Sequence, residues 1–142
     1  MPAQNILEPK PLDQSDGSIV GLWDVTFMSG GQVYDEGFDQ YHSDGTEIMN
    51  DIPPPASGNV CLGVWARTGG HSYKLRHPFW IFDNAGINLI GRGVLLEQIT
   101  LDVSGDSYAG TFIFEFRDLS GNPIPSMPDV SGSMTASRIT AD

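Results

Sequence analysis

Apolar and polar residues alternate along most of this chain with the period of a β-strand, and turn-forming residues interrupt the alternation roughly every ten residues. Trp23, Val25 and Phe27 alternate with Asp24 and Thr26. Tyr73, Leu75, His77, Phe79 and Ile81 alternate with Lys74 and Arg76. Tyr108, Phe112, Phe114 and Phe116 oppose Thr111, Glu115 and Arg117. The pattern predicts eight strands, at 19–28, 32–42, 46–51, 59–67, 71–82, 87–103, 108–118 and 130–140, and no helix of useful length. Gly30-Gly31 and Asp44-Gly45 read as hairpin turns. The prolines at 53, 54 and 55, and at 123, 125 and 128, confine their segments to loops. The expected fold is all-β: an eight-stranded antiparallel up-and-down barrel over residues 19–142. An irregular arm over 1–18 precedes it, with Ile6 and Leu7 as an apolar plug. Closure removes sheet edges and leaves room inside for one small ligand.

In a meander alternate loops lie at opposite ends. The second, fourth and sixth connections are short, so one end is tight. The proline loops gather at the other end, the expected mouth of a ligand site.

Strand parity then assigns the lining. Placing Trp23, Val25 and Phe27 inside, with a two-residue turn at Gly30-Gly31, pairs Phe27 with Tyr34 and Trp23 with Phe38. Tyr34, Glu36, Phe38, Gln40 and His42 then point inward. The fifth strand contributes Tyr73, Leu75, His77, Phe79 and Ile81. The sixth, after a turn at Gly105-Asp106, contributes Leu95, Glu97, Ile99 and Leu101. The seventh contributes Phe112, Phe114 and Phe116, and the eighth Val130, Met134, Ala136 and Arg138. In the fourth strand Cys61 and Trp65 compete with Val60, Leu62 and Val64 for the interior. A three-residue turn after the fifth strand puts Tyr73 opposite Glu97 and His77 opposite Gly93.

Composition narrows the function. The chain has 142 residues, enough for one core. Seven Lys and Arg against eighteen Asp and Glu give a net charge of −11, which argues against nucleic acid and anionic membranes as partners. Cys61 is the only cysteine, so no internal disulfide forms, and its apolar surroundings suit a small buried hydrophobe better than a nucleophile. The first twenty residues carry no secretory signal pattern. The compartment stays open between cytoplasm and the mature form of a secreted or periplasmic protein. A homodimer is left open as well.

Gly21-x-Trp23 at the start of the first strand and Arg138 near the end of the last give the chain a resemblance to the lipocalins and the wider calycin superfamily of β-barrels. The resemblance implies that Trp23 packs under the barrel and that Arg138 stacks across it, as a cation over an aromatic face. The disulfide and flanking helix usual in that family are missing here.

Candidate chemistry sits within the predicted lining. His77, Glu97 and Tyr73 form the polar pole of an otherwise apolar pocket. Phe27, Tyr34, Glu36, Phe38, Gln40, Leu75, Phe79, Leu95, Phe112, Phe114, Phe116 and Met134 form its wall. A carboxyl buried there should hold its proton to higher pH, and a neighbouring imidazole could exchange it near neutrality. His42 reads as a hairpin partner of Glu47, and His71 as a solvated turn residue. The three histidines lack metal-ligand spacing, and no nucleophile elbow or phosphate loop occurs, so neither metal nor cofactor is expected. Three readings stay open. The barrel could hold a small, largely apolar or aromatic molecule. It could be a cofactor-independent lyase, isomerase or cyclase using His77, Glu97 and Tyr73. It could also be a filled interaction module.

Overall fold

The computed structural model describes residues 18–142. The predicted arm, with its Ile6 and Leu7 plug, therefore lies outside the described residues except for Ser18. Eight strands follow in order: β1 (Gly21–Ser29), β2 (Gln32–Tyr41), β3 (Thr46–Asp51), β4 (Val60–Arg67), β5 (Ser72–Phe82), β6 (Leu89–Leu101), β7 (Ser107–Asp118) and β8 (Val130–Arg138). Each pairs antiparallel with its neighbour and β8 pairs with β1, so the sheet closes as an up-and-down barrel. The expected architecture is present.

The turns follow from a repeated sequence device. Asp83, Asp102 and Asp118 each open a four-residue turn ending in a glycine at positive φ, Gly86, Gly105 and Gly121. In all three the glycine N–H donates to the aspartate carbonyl at 2.9 Å. The aspartate carboxylate meanwhile accepts backbone N–H bonds from Ile87, Ser104, or Ser120 and Asn122. Asx capping and a left-handed glycine specify a tight reversal from local sequence alone.

The closed end is built around Trp23. Its indole Nε1 donates to the Ile19 carbonyl at 2.8 Å. The Arg138 guanidinium lies over the Trp23 ring, 4.3 Å from its centroid. That guanidinium donates to three backbone carbonyls: Gly105 at 2.8 Å, Val20 at 2.7 Å and Ser18 at 2.7 Å. One planar fork thus ties the β6–β7 turn to the segment entering β1 and covers the floor. Tyr108 packs on Trp23 at 4.8 Å, and Tyr41 and Trp65 complete an aromatic layer.

Three registers differ from expectation. Phe27 pairs with Asp35, not Tyr34, because the β1–β2 ladder bulges between Phe27 and Met28 and absorbs Tyr34 as an extra residue. One extra residue reverses every side chain beyond it. Asp35, Gly37, Asp39 and Tyr41 therefore face inward, and Glu36, Phe38 and Gln40 lie on the outer surface. Tyr73 pairs with Ile99 and His77 with Leu95, two residues from the expected register, which leaves parity intact. Gly93 faces Phe79, whose ring fills the space over it. The β6–β7 turn is Asp102–Gly105, and its register also moves by two. In β4 the inward set is Cys61, Gly63 and Trp65, while Val60, Leu62 and Val64 face out. The Trp65 indole fixes that choice by donating to the His42 and Thr46 carbonyls.

If the Arg138 fork holds the floor through its geometry, Arg138→Lys should recover little of the loss caused by Arg138→Ala. We expect both to cost about 2–3 kcal/mol in urea unfolding, as for charge-assisted hydrogen bonds. Trp23→Ala should cost about 3–5 kcal/mol.

Candidate functional site

The lower half of the barrel holds the aromatic layer around Trp23, and the upper half holds a cavity of about 620 Å³ beneath the mouth loops. Residues 52–58 and the β5–β6 turn frame it. They meet at Gly86, where any side chain would overlap the Ala56 carbonyl. Tyr34, Phe79, Phe114 and Phe116 supply the aromatic wall. The ring centroids of Tyr34 and Phe79 lie 5.5 and 5.9 Å from that of Phe114. The bulge leaves Tyr34 on the inner side as expected, beside Asp35, with its ring against Phe112 and Phe114.

His77 lies at the cavity floor and is 2 % exposed. Its Nδ1 is 3.1 Å from both carboxylate oxygens of Glu47. These residues stand on β5 and β3, two strands apart, a backbone separation of roughly 10 Å. They meet because the strand between them carries Gly63 at that level. Gly63 pairs with Glu47, and a Cβ there would collide with the Glu47 carboxylate and crowd the His77 Cβ. The glycine leaves the passage through which Glu47 reaches the imidazole. With Nδ1 engaged, Nε2 has no partner among the described side chains.

The wall is incomplete beside this pair. The β4–β5 ladder runs only from Arg67↔Tyr73 to Val64↔Arg76. The Ser72 carbonyl accepts from Thr68, so even-numbered β5 residues turn their backbone groups toward β4. Pro78 is the next of these after Arg76, and it has no N–H to offer. Pairing stops there. The cavity consequently touches Cys61 on one side of the break and His77 and Trp80 on the other.

The interior is unexpectedly acidic. Asp35 and Asp51 share a proton on the cavity wall. Burial, then the hydrogen bond to Asp51, pushes Asp35 up to about 8, and Asp51 is also raised by burial. Deeper, burial holds Asp39 and Glu97 well above the usual carboxyl range. Burial also raises Glu47 to about 7, opposed by a hydrogen bond from Asp39. His77 is lowered by burial, with Asp39 and Asp51 pulling the other way. Burial thus raises the proton affinity of Glu47 and lowers that of His77, two groups in direct contact. Such a pair can take a proton from a bound molecule or return one to it. Glu97 keeps one oxygen, and Tyr108 its hydroxyl, without a protein hydrogen bond, the kind of group that buried water satisfies.

The predicted site residues divide accordingly. His77, Tyr34, Phe79, Phe114 and Phe116 line the cavity. Phe27, Leu75, Leu95, Phe112 and Met134 are buried core outside its lining. Glu97 sits toward the floor, its Oε2 3.4 Å from the Tyr41 hydroxyl. Tyr73 lies four residues from His77 along β5, roughly 13 Å away, with its hydroxyl accepting from Arg67. The expected trio is therefore not assembled, and Glu47 takes the place given to Glu97. His42 bonds Thr46, not Glu47. Sequence reasoning missed Glu47, Asp35, Asp39 and Asp51. The available signal was Gly63, a glycine in the middle of an apolar strand, which marks a close approach. Cys61 faces the cavity with its thiol pushed up to about 12 by burial. No group of three or more His, Cys, Asp or Glu among the described residues is placed to hold a metal ion.

No protein-family model, curated protein or solved structure matches this chain.

Two outcomes test this electrostatic picture. The folded protein holds protons on Asp35, Glu47, Asp39 and Glu97 that the unfolded chain releases near pH 4. Their contribution is complete below that pH and is lost as pH rises, through about 7 for Glu47 and about 8 for Asp35. His77, with its affinity lowered, acts oppositely below its ordinary value of 6.5, but it is one group against four. The melting temperature should therefore be higher at pH 5.5 than at pH 8.5, and Asp39→Asn should flatten the difference by about 3 °C or more. Cys61 should react with iodoacetamide at neutral pH far more slowly than a free thiol, and at a normal rate once urea unfolds the chain.

Proposed function

We propose that this protein is a calycin-like barrel that binds a small, largely apolar or aromatic molecule in the cavity under its mouth loops. The supporting observation is the cavity itself: about 620 Å³, walled by Tyr34, Phe79, Phe114 and Phe116, with polar groups confined to His77 and the Asp35–Asp51 pair inside it and to the rim. That volume falls within the range of small-molecule sites, and a few polar groups in an apolar wall fix a ligand's orientation. Its partner in this reading is a small molecule, with neither nucleic acid nor membrane involved.

A second reading is favoured by the Glu47–His77 contact. An imidazole oriented by a carboxylate, with its other nitrogen unengaged, is arranged as a general base or acid. The Asp35–Asp51 pair could supply the complementary proton. Such a site would suit a lyase, isomerase or cyclase working without a cofactor.

Nile red, a neutral dye, tests the first reading. Its fluorescence should rise on addition of the protein. Phe114→Ala should weaken the dye at least several-fold, and Phe38→Ala, on the outer surface, should not. No enhancement with the folded wild type would reject the cavity as a binding site. Native mass spectrometry of the protein purified from its source organism should reveal the bound molecule. With that molecule as substrate, the second reading expects His77→Ala and Glu47→Gln to lose about 10²- to 10⁴-fold in turnover, with Glu97→Gln largely active. Full turnover in both of the first two variants would leave binding alone.

A further inference from the structure

The cavity holds negative charge with no positive charge to balance it. Asp35 on β2 and Asp51 on β3 both line it, and Asp35 is 6 % exposed. Among the described residues the ion pairs are His77 with Glu47 and Arg117 with Glu115 and Asp129, so neither carboxyl of the cavity pair has a cationic partner. No described Lys or Arg lines the cavity. Lys74, Arg76 and Arg92 lie on the outer surface, and Arg138 is held by the floor carbonyls. Asp83, the third acidic lining residue, is already engaged: its carboxylate accepts from the Ile87 N–H and the Asn88 amide.

Buried carboxyls without a counter-charge are costly. A proton shared by Asp35 and Asp51 relieves one of them and leaves the other charged. His77 adds a further acceptor. When its Nδ1 donates to Glu47, the tautomer that a carboxylate favours, Nε2 carries a lone pair, and the ring lines the same cavity. The aromatic wall has the same polarity, because ring faces are electron-rich and attract cations. Phe114 and Phe116 stack within it, their planes 12° apart.

We propose that the molecule held in this cavity carries a protonated amine on an apolar or aromatic body, its ammonium seated at the Asp35–Asp51 pair and its body against Phe79, Phe114 and Phe116. This rests on the cavity being a binding site, as proposed above, and adds the chemical class of the ligand. An ammonium supplies both the missing charge and a set of donors for the waiting acceptors. A carboxylate or phosphate would meet only like charge there. A neutral molecule would leave the pair uncompensated. The net charge of −11 also draws cations toward the barrel.

Isothermal titration calorimetry of the full chain tests this with three probes of similar shape: naphthylethylamine, naphthylethanol and naphthylacetate. The titrations are run at pH 7.5 in about 0.3 M salt, which screens attraction to the outer surface. The amine should bind at least about tenfold more tightly than the alcohol, and the carboxylate more weakly than either. Asp35→Asn with Asp51→Asn should reduce the preference for amine over alcohol to less than about threefold. An alcohol that binds as tightly as the amine, an amine that does not bind, or a preference that survives the double substitution would each overturn the proposal. The wild-type comparison decides the matter even where the double variant does not fold. Nile red separates this proposal from the reading beneath it. Enhancement of the dye without preference for the amine removes the ammonium site and leaves the cavity as a binding site. Absence of enhancement removes both.

Discussion

A β-barrel with β2 in simple register with β1 would hold Glu36, Phe38 and Gln40 inside. The bulge between Phe27 and Met28 takes up Tyr34 and reverses that assignment. Asp35, Asp39 and Tyr41 enter the interior instead, beside Glu47 and Asp51 of the neighbouring β3 and with Glu97 of β6. Carboxyls in such a space cannot all ionise, because water is scarce and each charge raises the cost of the next. They hold protons and share them in pairs. The chemistry of the site thus follows from one inserted residue at a hairpin.

The second determinant is the absence of atoms. Gly63 has no side chain, and so Glu47 reaches His77 across an intervening strand. Pro78 has no N–H, and so β4 and β5 part beside the same histidine. Both residues weaken a strand by ordinary measures. Here they place an oriented imidazole at the floor of a cavity, next to a break in the wall. Local sequence choices that cost stability concentrate where a protein does something other than fold.

Stability resides at the other end. The Arg138 fork and the Trp23 aromatic layer hold the floor. A rigid floor lets the mouth half remain open and lets a shared-proton network persist above it. The division resembles a cup in mechanical terms: packed base, hollow bowl, loops at the rim.

The strand count, the closed meander, the tight and loop-rich ends, and the Trp23–Arg138 contact were all legible from the sequence. The first three follow from local rules, namely alternation, turn chemistry and loop length, and the contact was what the calycin resemblance implied. The inward faces of β1, β5, β6, β7 and β8 were legible too, because strong apolar bias survives a register shift of two. Strand β2 was not, since a bulge adds one residue without leaving a mark in composition, and parity has no memory across it. Strand β4 was ambiguous because its outward Val60, Leu62 and Val64 are as apolar as an interior row. Only closure of the barrel, with the Trp65 indole bonded to the β2–β3 turn, decided which set went in. The Glu47–His77 pair joins residues thirty positions apart. That contact depends on the registers of three strands at once, and no local pattern encodes it.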